Sequence, residues 1–323
     1  TFVYGSPPEG DDYLVLGHES LGRVVEVGEK VKRLKVGDLV VPSVRRPCSD
    51  PNCNPCRNDK QDYCINGQFT ERGIKEVHGF MTEFYVDDEK YFTLVPEDLR
   101  ELAVMAEPLT IAEKGLAQAY AVQQRLPWAC TEPSKPKGHG LRAVVLGAGP
   151  IGILGAMKCV VEGFETYVYS RSKAPNPKAA LVEQIGAKYF SKYDMSPQEL
   201  AEEVGNIDLV YEAVGDSEVA FDVLQVLGTN GIFVFTGIPA PETRLEIESD
   251  ILMRRIVLEN LAIVGTVNAD RQAFEDAIAD LAEFKKRWPE TIKGVISGRF
   301  SVDDHEKLLV GKSQGIKNVI AFS

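Results

Sequence analysis

No apolar run in this 323-residue chain reaches the ~18–20 residues that a helix needs to cross a bilayer. Positive charge is in deficit: 36 Lys and Arg against 48 Asp and Glu leave a net charge of −12. That balance favours solubility and argues against nucleic acid or an anionic membrane surface as partner. Cysteine is sparse at six residues, too few for the disulfide framework of a small secreted scaffold. Internal repeats at a fixed period and low-complexity segments are absent as well. What remains, 44% hydrophobic and 26% charged, is the composition of a globular protein long enough for two ordinary domains.

The chain changes grammar part-way. Its first stretch carries short β-type runs broken by Gly, Pro and Asp: Leu14–Leu16, Gly22–Gly28, Asp38–Pro42 and Met81–Val86. Such punctuation predicts a small β-rich domain. Helical spacing follows at Leu102–Ala106 and Ile111–Ala121. After a Pro/Lys/Gly-rich connector, 127–140, a wholly apolar run Ala143–Leu146 reads as a strand covered on both faces. Helices expected at 151–161, 177–185, 197–204 and 218–227 then alternate with strands at 167–169, 188–190, 207–211, 231–235 and 263–267. Alternation of this kind predicts a parallel sheet wrapped by helices. A long helix over 271–286, a helical stretch 302–309 and a last strand 318–322 close the chain.

Gly147-Ala-Gly149-Pro150-Ile151-Gly152 lies directly after one expected strand and opens the next helix. In that setting the first glycine permits a tight turn, the second lets backbone approach a pyrophosphate, and the third allows close helix–strand packing. The next strand ends in Tyr169-Ser170-Arg171-Ser172-Lys173 with no acid. A carboxylate there would bond a ribose 2′-hydroxyl and repel a 2′-phosphate. Arg171 and Lys173 can instead neutralise a phosphate, and Ser170 and Ser172 can hydrogen-bond it. NADP is therefore the preferred cofactor, with NAD possible; loop charges facing water are the plain alternative.

Four cysteines follow the spacing Cys48-x4-Cys53-x2-Cys56-x7-Cys64, with turn formers Asp50, Pro51, Asn52, Asn54 and Pro55 between them. Four thiolates close a tetrahedron around Zn²⁺ and leave no open position, which makes such a site structural. Two local disulfides and an iron–sulfur cluster are the competing readings. A metal site with an open position could use His18 and Glu19, in Gly17-His18-Glu19, and Glu107, a carboxylate among Val104, Met105, Leu109 and Ile111. An unpaired carboxylate in apolar surroundings is unfavourable, and a metal or an exposed helix end would each relieve it.

Together these stretches resemble the zinc-dependent medium-chain alcohol dehydrogenase superfamily, and within it the archaeal-type glucose 1-dehydrogenases. The matching segments are Leu16–Gly22, Val36–Cys48, Thr70–Ile74, His78–Asp88, Ala106–Lys114 and Val264–Asn268. The Val44-Arg-Arg-Pro47 and Glu113-Lys114 stretches are the most discriminating. The resemblance implies an α/β protein: a GroES-like β-rich catalytic domain (1–112 and 269–323) split around a Rossmann doubly wound parallel-sheet domain (113–268). It implies His18, Glu19 and Glu107 at a catalytic zinc, Cys48, Cys53, Cys56 and Cys64 at a structural zinc, and Glu71 on sugar hydroxyls. Glu107 would also touch substrate, and Asn268 would lie near both substrate and nicotinamide. The reaction implied is oxidation of the C1 hydroxyl of glucose, or of an aldose such as galactose, to the lactone. The expected assembly is a homodimer or homotetramer, and the expected location is cytoplasmic.

There is one departure of consequence. The Cys-Gly-Thr-Asp stretch that supplies a further zinc ligand in the family falls before Gly17 by more residues than this chain holds there. Roughly 40 additional N-terminal residues are therefore expected in the biological protein. A related enzyme acting on another polyol or amino alcohol, and a catalytically inactive NADP-binding relative, are the alternatives.

Overall fold

A computed structural model describes residues 5–128, 134–239, 244–311 and 314–322. Short strands dominate the N-terminal part: β1 (Gly22–Arg23), β2 (Leu39–Pro42), β3 (Arg45–Arg46), β4 (Thr70–Arg72), β5 (Glu76–Val77) and β6 (Phe92–Val95). They form two three-stranded sheets, β1-β2-β6 and β3-β4-β5. Gly and Pro keep each strand brief, while Leu39, Val40 and Val41 of β2 are all buried. Between the sheets' strands, helix α1 (Asn54–Arg57) begins on Pro55 and carries Cys56 inward.

Helix α2 (Ala106–Gln123) leads to the second half: β7 (Arg142–Leu146), α3 (Pro150–Val161), β8 (Glu165–Ser170), α4 (Pro177–Gln184), β9 (Lys188–Ser191), α5 (Pro197–Val204), β10 (Leu209–Glu212), α6 (Ser217–Leu224), β11 (Ile232–Phe235), α7 (Ser249–Leu258) and β12 (Ala262–Gly265). The six strands are parallel in the order β12-β11-β10-β7-β8-β9. The order reverses between β7 and β10, so a crevice opens at their carboxyl ends. Ala143 and Val145 of β7 belong to one hydrophobic core, Val144 and Leu146 to the other. That two-sided burial is why its sequence is apolar throughout. Helices α8 (Arg271–Arg287) and α9 (Pro289–Val295), then β13 (Ile296–Ser301), α10 (His305–Leu309) and β14 (Lys317–Ala321), complete the chain, with β13 and β14 parallel.

The first core runs without a break from Leu39, Val41 and Val95 through Leu109 and Leu116 of α2 to Phe274 and Leu281 of α8 and the parallel sheet. The junction expected at 112/113 falls inside α2, which is continuous.

Several local expectations fail. Leu14–Leu16 and Met81–Val86 form no strand; they are joined instead by irregular backbone bonds, Gly79 to the Val15 carbonyl at 2.7 Å and Met81 to the Leu16 carbonyl at 2.9 Å. The Gly22–Gly28 run is extended only at Gly22–Arg23. Residues 302–309 form a 3-10 turn and a five-residue helix rather than one helix. Helices α7 and α9 and strand β13 have no counterpart in the sequence reading. In α7 only a partly buried pair, Leu252 and Ile256, packs against the second core.

Candidate active site

Three glycines make a close backbone crossing beside the candidate metal ligands. Gly17 adopts φ +90°, and a Cβ at Gly73 or Gly79 would run into its carbonyl group. Phe80 N–H donates to that carbonyl at 2.8 Å. This close crossing brings the His18–Glu19 turn beside Glu71 on β4, and Glu107 reaches in from the first turn of α2. Ligand atoms of His18, Glu19 and Glu107 lie within 4.8 Å of one another.

The electrostatics of this trio fit a cation. Burial, aided by the neighbouring Glu19 carboxylate, pushes the Glu107 carboxyl up to about 8. Burial also holds the His18 imidazole below its ordinary value, leaving a neutral nitrogen donor. Gathering a neutral imidazole with two carboxylates is unfavourable alone and suits a divalent metal. Lys317, which opens β14, pairs with the Glu19 carboxylate. Nothing but a lysine ahead of an apolar strand signals that residue in the sequence, and it was missed.

Glu71 and Asn268 meet: the Asn268 amide donates to Glu71 Oε1 at 2.9 Å. Glu71 is 7% exposed and is also held by Arg45, whose Nε and Nη2 lie 3.0 and 2.9 Å from the same oxygen. Arg45 in turn stacks over Phe69 with 3.7 Å to the ring centroid. The role of the first arginine in Val-Arg-Arg-Pro is thereby visible only in three dimensions. Gly73, two residues beyond Glu71, packs against Gly17, one residue before His18, so the segment that carries the Glu71–Asn268 pair adjoins the segment that carries the metal-type trio.

At the crevice end of β7, Gly147 takes φ +99° and Gly149 caps α3, with Pro150 and Ile151 starting the helix. A Cβ at Gly152 would strike the Gly147 carbonyl, so the third glycine is required by packing. A Cβ at Gly149 would meet no protein atom within 4 Å. The protein alone does not require glycine there, whereas a pyrophosphate seated on the helix N-terminus does. Ser170, Arg171 and Ser172 leave the end of β8, and no hydrogen bond or ion pair engages Arg171 among the described residues. Lys173 differs: it pairs with Asp194.

The four cysteines converge, with sulfurs within 4.8 Å of one another. Asn66 braces them, accepting from Cys64 at 3.1 Å and donating to Cys48 at 3.5 Å. The Ile65 backbone amide lowers Cys53 to about 7, while burial raises Cys56 to about 12. No disulfide forms among the described cysteines, and the closed four-sulfur set fits structural zinc.

Two family models span nearly the whole chain: Alcohol dehydrogenase GroES-like domain over residues 2–97 and Glucose dehydrogenase C-terminus over residues 100–322. The chain belongs to the glucose dehydrogenases of the zinc-dependent medium-chain alcohol dehydrogenase superfamily. It is 36% identical over 318 residues to glucose 1-dehydrogenase of Methanocella arvoryzae, an alignment covering 98% of this chain and 86% of the relative. The structure of Haloferax mediterranei glucose dehydrogenase in complex with NADP, Zn and gluconolactone superposes with a TM-score of 0.85 at 32% identity, covering 99% of this chain and 86% of that one. Galactitol-1-phosphate dehydrogenase from Escherichia coli shares the fold at a TM-score of 0.74 and 22% identity.

Proposed function

We propose that this protein is a zinc-dependent, NADP-preferring glucose 1-dehydrogenase that oxidises the C1 hydroxyl of D-glucose, and of related aldoses such as galactose, to the lactone. The observation that carries the reading is the gathering of His18, Glu19 and Glu107 within 4.8 Å of one another, next to the glycine crossing whose other strand carries Glu71 and its partner Asn268. A metal-binding donor set stands there beside a buried carboxylate able to read hydroxyl groups.

His18, Glu19 and Glu107 would hold one zinc; Cys48, Cys53, Cys56 and Cys64 the other. When bound, catalytic zinc makes the sugar hydroxyl acidic near neutral pH, and NADP accepts the hydride. The chain's own residues position and select. Glu71, fixed by Arg45 and Asn268, accepts a hydrogen bond from a sugar hydroxyl. An analogue lacking that hydroxyl leaves a buried carboxylate unpaired and is rejected. Gly147, Gly149 and the start of α3, Pro150–Gly152, receive the pyrophosphate, and Ser170, Arg171 and Ser172 take the 2′-phosphate.

We read residues 113–268 as the dinucleotide domain inserted into a catalytic domain of 1–112 and 269–323. A homodimer or homotetramer is supported by the open edge of β12 and by α7, whose Val257 and Leu258 are 69% and 70% exposed. A cytoplasmic location is supported by the free thiols of the described cysteines.

Initial rates with glucose, galactose and xylose, each with NADP and NAD, test the reading on zinc-replete enzyme. Glucose with NADP is expected to give the highest kcat/KM, and Glu71→Gln to depress it about a hundredfold while leaving NADP binding in place. Failure to turn over any aldose would overturn it.

A further inference from the structure

The Glu113-Lys114 pair stands out in the sequence without a task in the reaction. Its two side chains face different neighbours. Glu113 lies 2.9 Å from Lys158 on α3, whereas Lys114 points towards the cysteine lobe. Lys114 Nζ lies 2.6 Å from Asp62 Oδ2, donates to the Val267 carbonyl at 2.9 Å, and stands 4.3 Å from the centre of the Tyr63 ring. Both charges are sequestered, with side-chain exposures of 8% for Lys114 and 1% for Asp62.

Val267 immediately precedes Asn268, whose φ of +59° lies in the left-handed region that asparagine tolerates better than most non-glycine residues. Asp270, two residues later, caps α8 and pairs with Lys60 of the same cysteine lobe. From Asn268 the path continues to Glu71, then Arg45, whose Nη1 donates to the Asp62 carbonyl at 3.1 Å. Lys114, Val267, Asn268, Glu71, Arg45 and Asp62 thus close a ring. It joins α2, the turn between β12 and α8, the substrate carboxylate and the cysteine lobe.

We propose that Lys114 is a positioning residue for sugar binding: by clamping the Val267 carbonyl against Asp62, it keeps the Asn268 amide on Glu71. The cysteine lobe then serves as the anchor of that clamp as well as a fold element. The proposal rests on the functional reading above for its kinetic arm, and on the geometry alone for its exchange arm.

The test compares wild type with Lys114→Met, which keeps most of the aliphatic stem and removes the charge, and with Lys114→Gln, a milder variant that can still donate to Val267. Lys114→Met is expected to raise the KM for glucose about tenfold or more, with a smaller fall in kcat and the Kd for NADP, measured without sugar, within about twofold of wild type. Lys114→Gln is expected to lie between. In a double-mutant cycle, Lys114→Met should add little to the KM effect of Asn268→Ala, since both act through one hydrogen bond. Hydrogen exchange over 264–272 in cofactor-free enzyme is expected to rise in either Lys114 variant. Additive effects on KM, an unchanged KM, or a loss of NADP affinity as large as the rise in KM would overturn the clamp. So would unchanged exchange over 264–272, which is read without turnover. Absence of glucose turnover in wild type would count against the functional reading, leaving the exchange result to judge Lys114.

Discussion

Lys317, at the start of β14, pairs with the carboxylate of Glu19, 298 positions earlier in the chain. The lysine is buried and Glu19 partly so. Strand β14 therefore holds a residue of the metal-type trio across 298 positions of sequence. Partners of this kind, one step out from a metal site, orient the residues that do bind. Lys317→Met is expected to lower kcat/KM about 10- to 100-fold, with NADP affinity unchanged. Steady-state kinetics and a fluorescence titration with NADP check it, and a variant as active as wild type would refute the role.

Cofactor choice should reside in Arg171 and not in Lys173. Arg171 is unengaged among the described residues, whereas Lys173 is occupied by Asp194. Arg171→Asp replaces a charge that attracts a 2′-phosphate by one that repels it. The ratio of kcat/KM for NADP over NAD is expected to fall by about two orders of magnitude, roughly 3 kcal/mol. Lys173→Ala should leave the ratio within about twofold. A ratio that follows Lys173 would reverse the assignment.

Cys56→Ser should remove one metal and weaken the fold. The buried thiol stands near 12 without a cation, and only a metal favours its thiolate. Metal analysis is expected to fall from about two zinc per chain to about one, with a lower Tm. Acid should release this zinc as protons compete for the sulfurs. A variant with unchanged zinc content and Tm would remove the lobe's structural role.

Stability should also carry a pH slope from Glu113. Its carboxylate shares Lys158 with Glu162 and Asp280, whose oxygens lie 2.9, 3.0 and 2.6 Å from Nζ for Glu113, Glu162 and Asp280 respectively. Burial raises the Glu113 carboxyl from its ordinary 4.5 to about 9. The folded state thus holds a proton that the unfolded state releases above about 4.5, so stability falls as pH rises through that window. Glu113→Gln is expected to flatten the decline in Tm between about pH 6 and 9. An equal slope in both proteins would exclude Glu113 as its source.

The cofactor half of the molecule was legible because its signals are local. Each strand of β7–β12 is flanked by its own turn chemistry, and Gly147-Ala-Gly-Pro-Ile-Gly152 occupies the one strand-to-helix turn that can use it. The four cysteines were equally plain, since their spacing closes a loop on itself. In the N-terminal part the same reasoning misassigned Leu14–Leu16 and Met81–Val86 as strands. There the backbone bonds between 15–17 and 79–81 follow the glycine crossing and not a ladder.

His18, Glu19, Glu107, Glu71 and Asn268 are recognisable in sequence as residue types beside particular turns. Their convergence is not. Glu71 and Asn268 are separated by 197 positions, and no local rule pairs them; Lys317 was silent for the same reason, and the stretches of Arg45 and Lys114 stood out without showing their partners. The parallel sheet, the glycine-rich strand-to-helix turn and the four-cysteine lobe were legible in the sequence, because hydrophobic period, glycine placement and ligand spacing act over a few residues. Which charges meet in buried surroundings emerged only on folding. A carboxylate or a lysine becomes a partner when packing removes water from around it, and that depends on segments brought together from both ends of the chain.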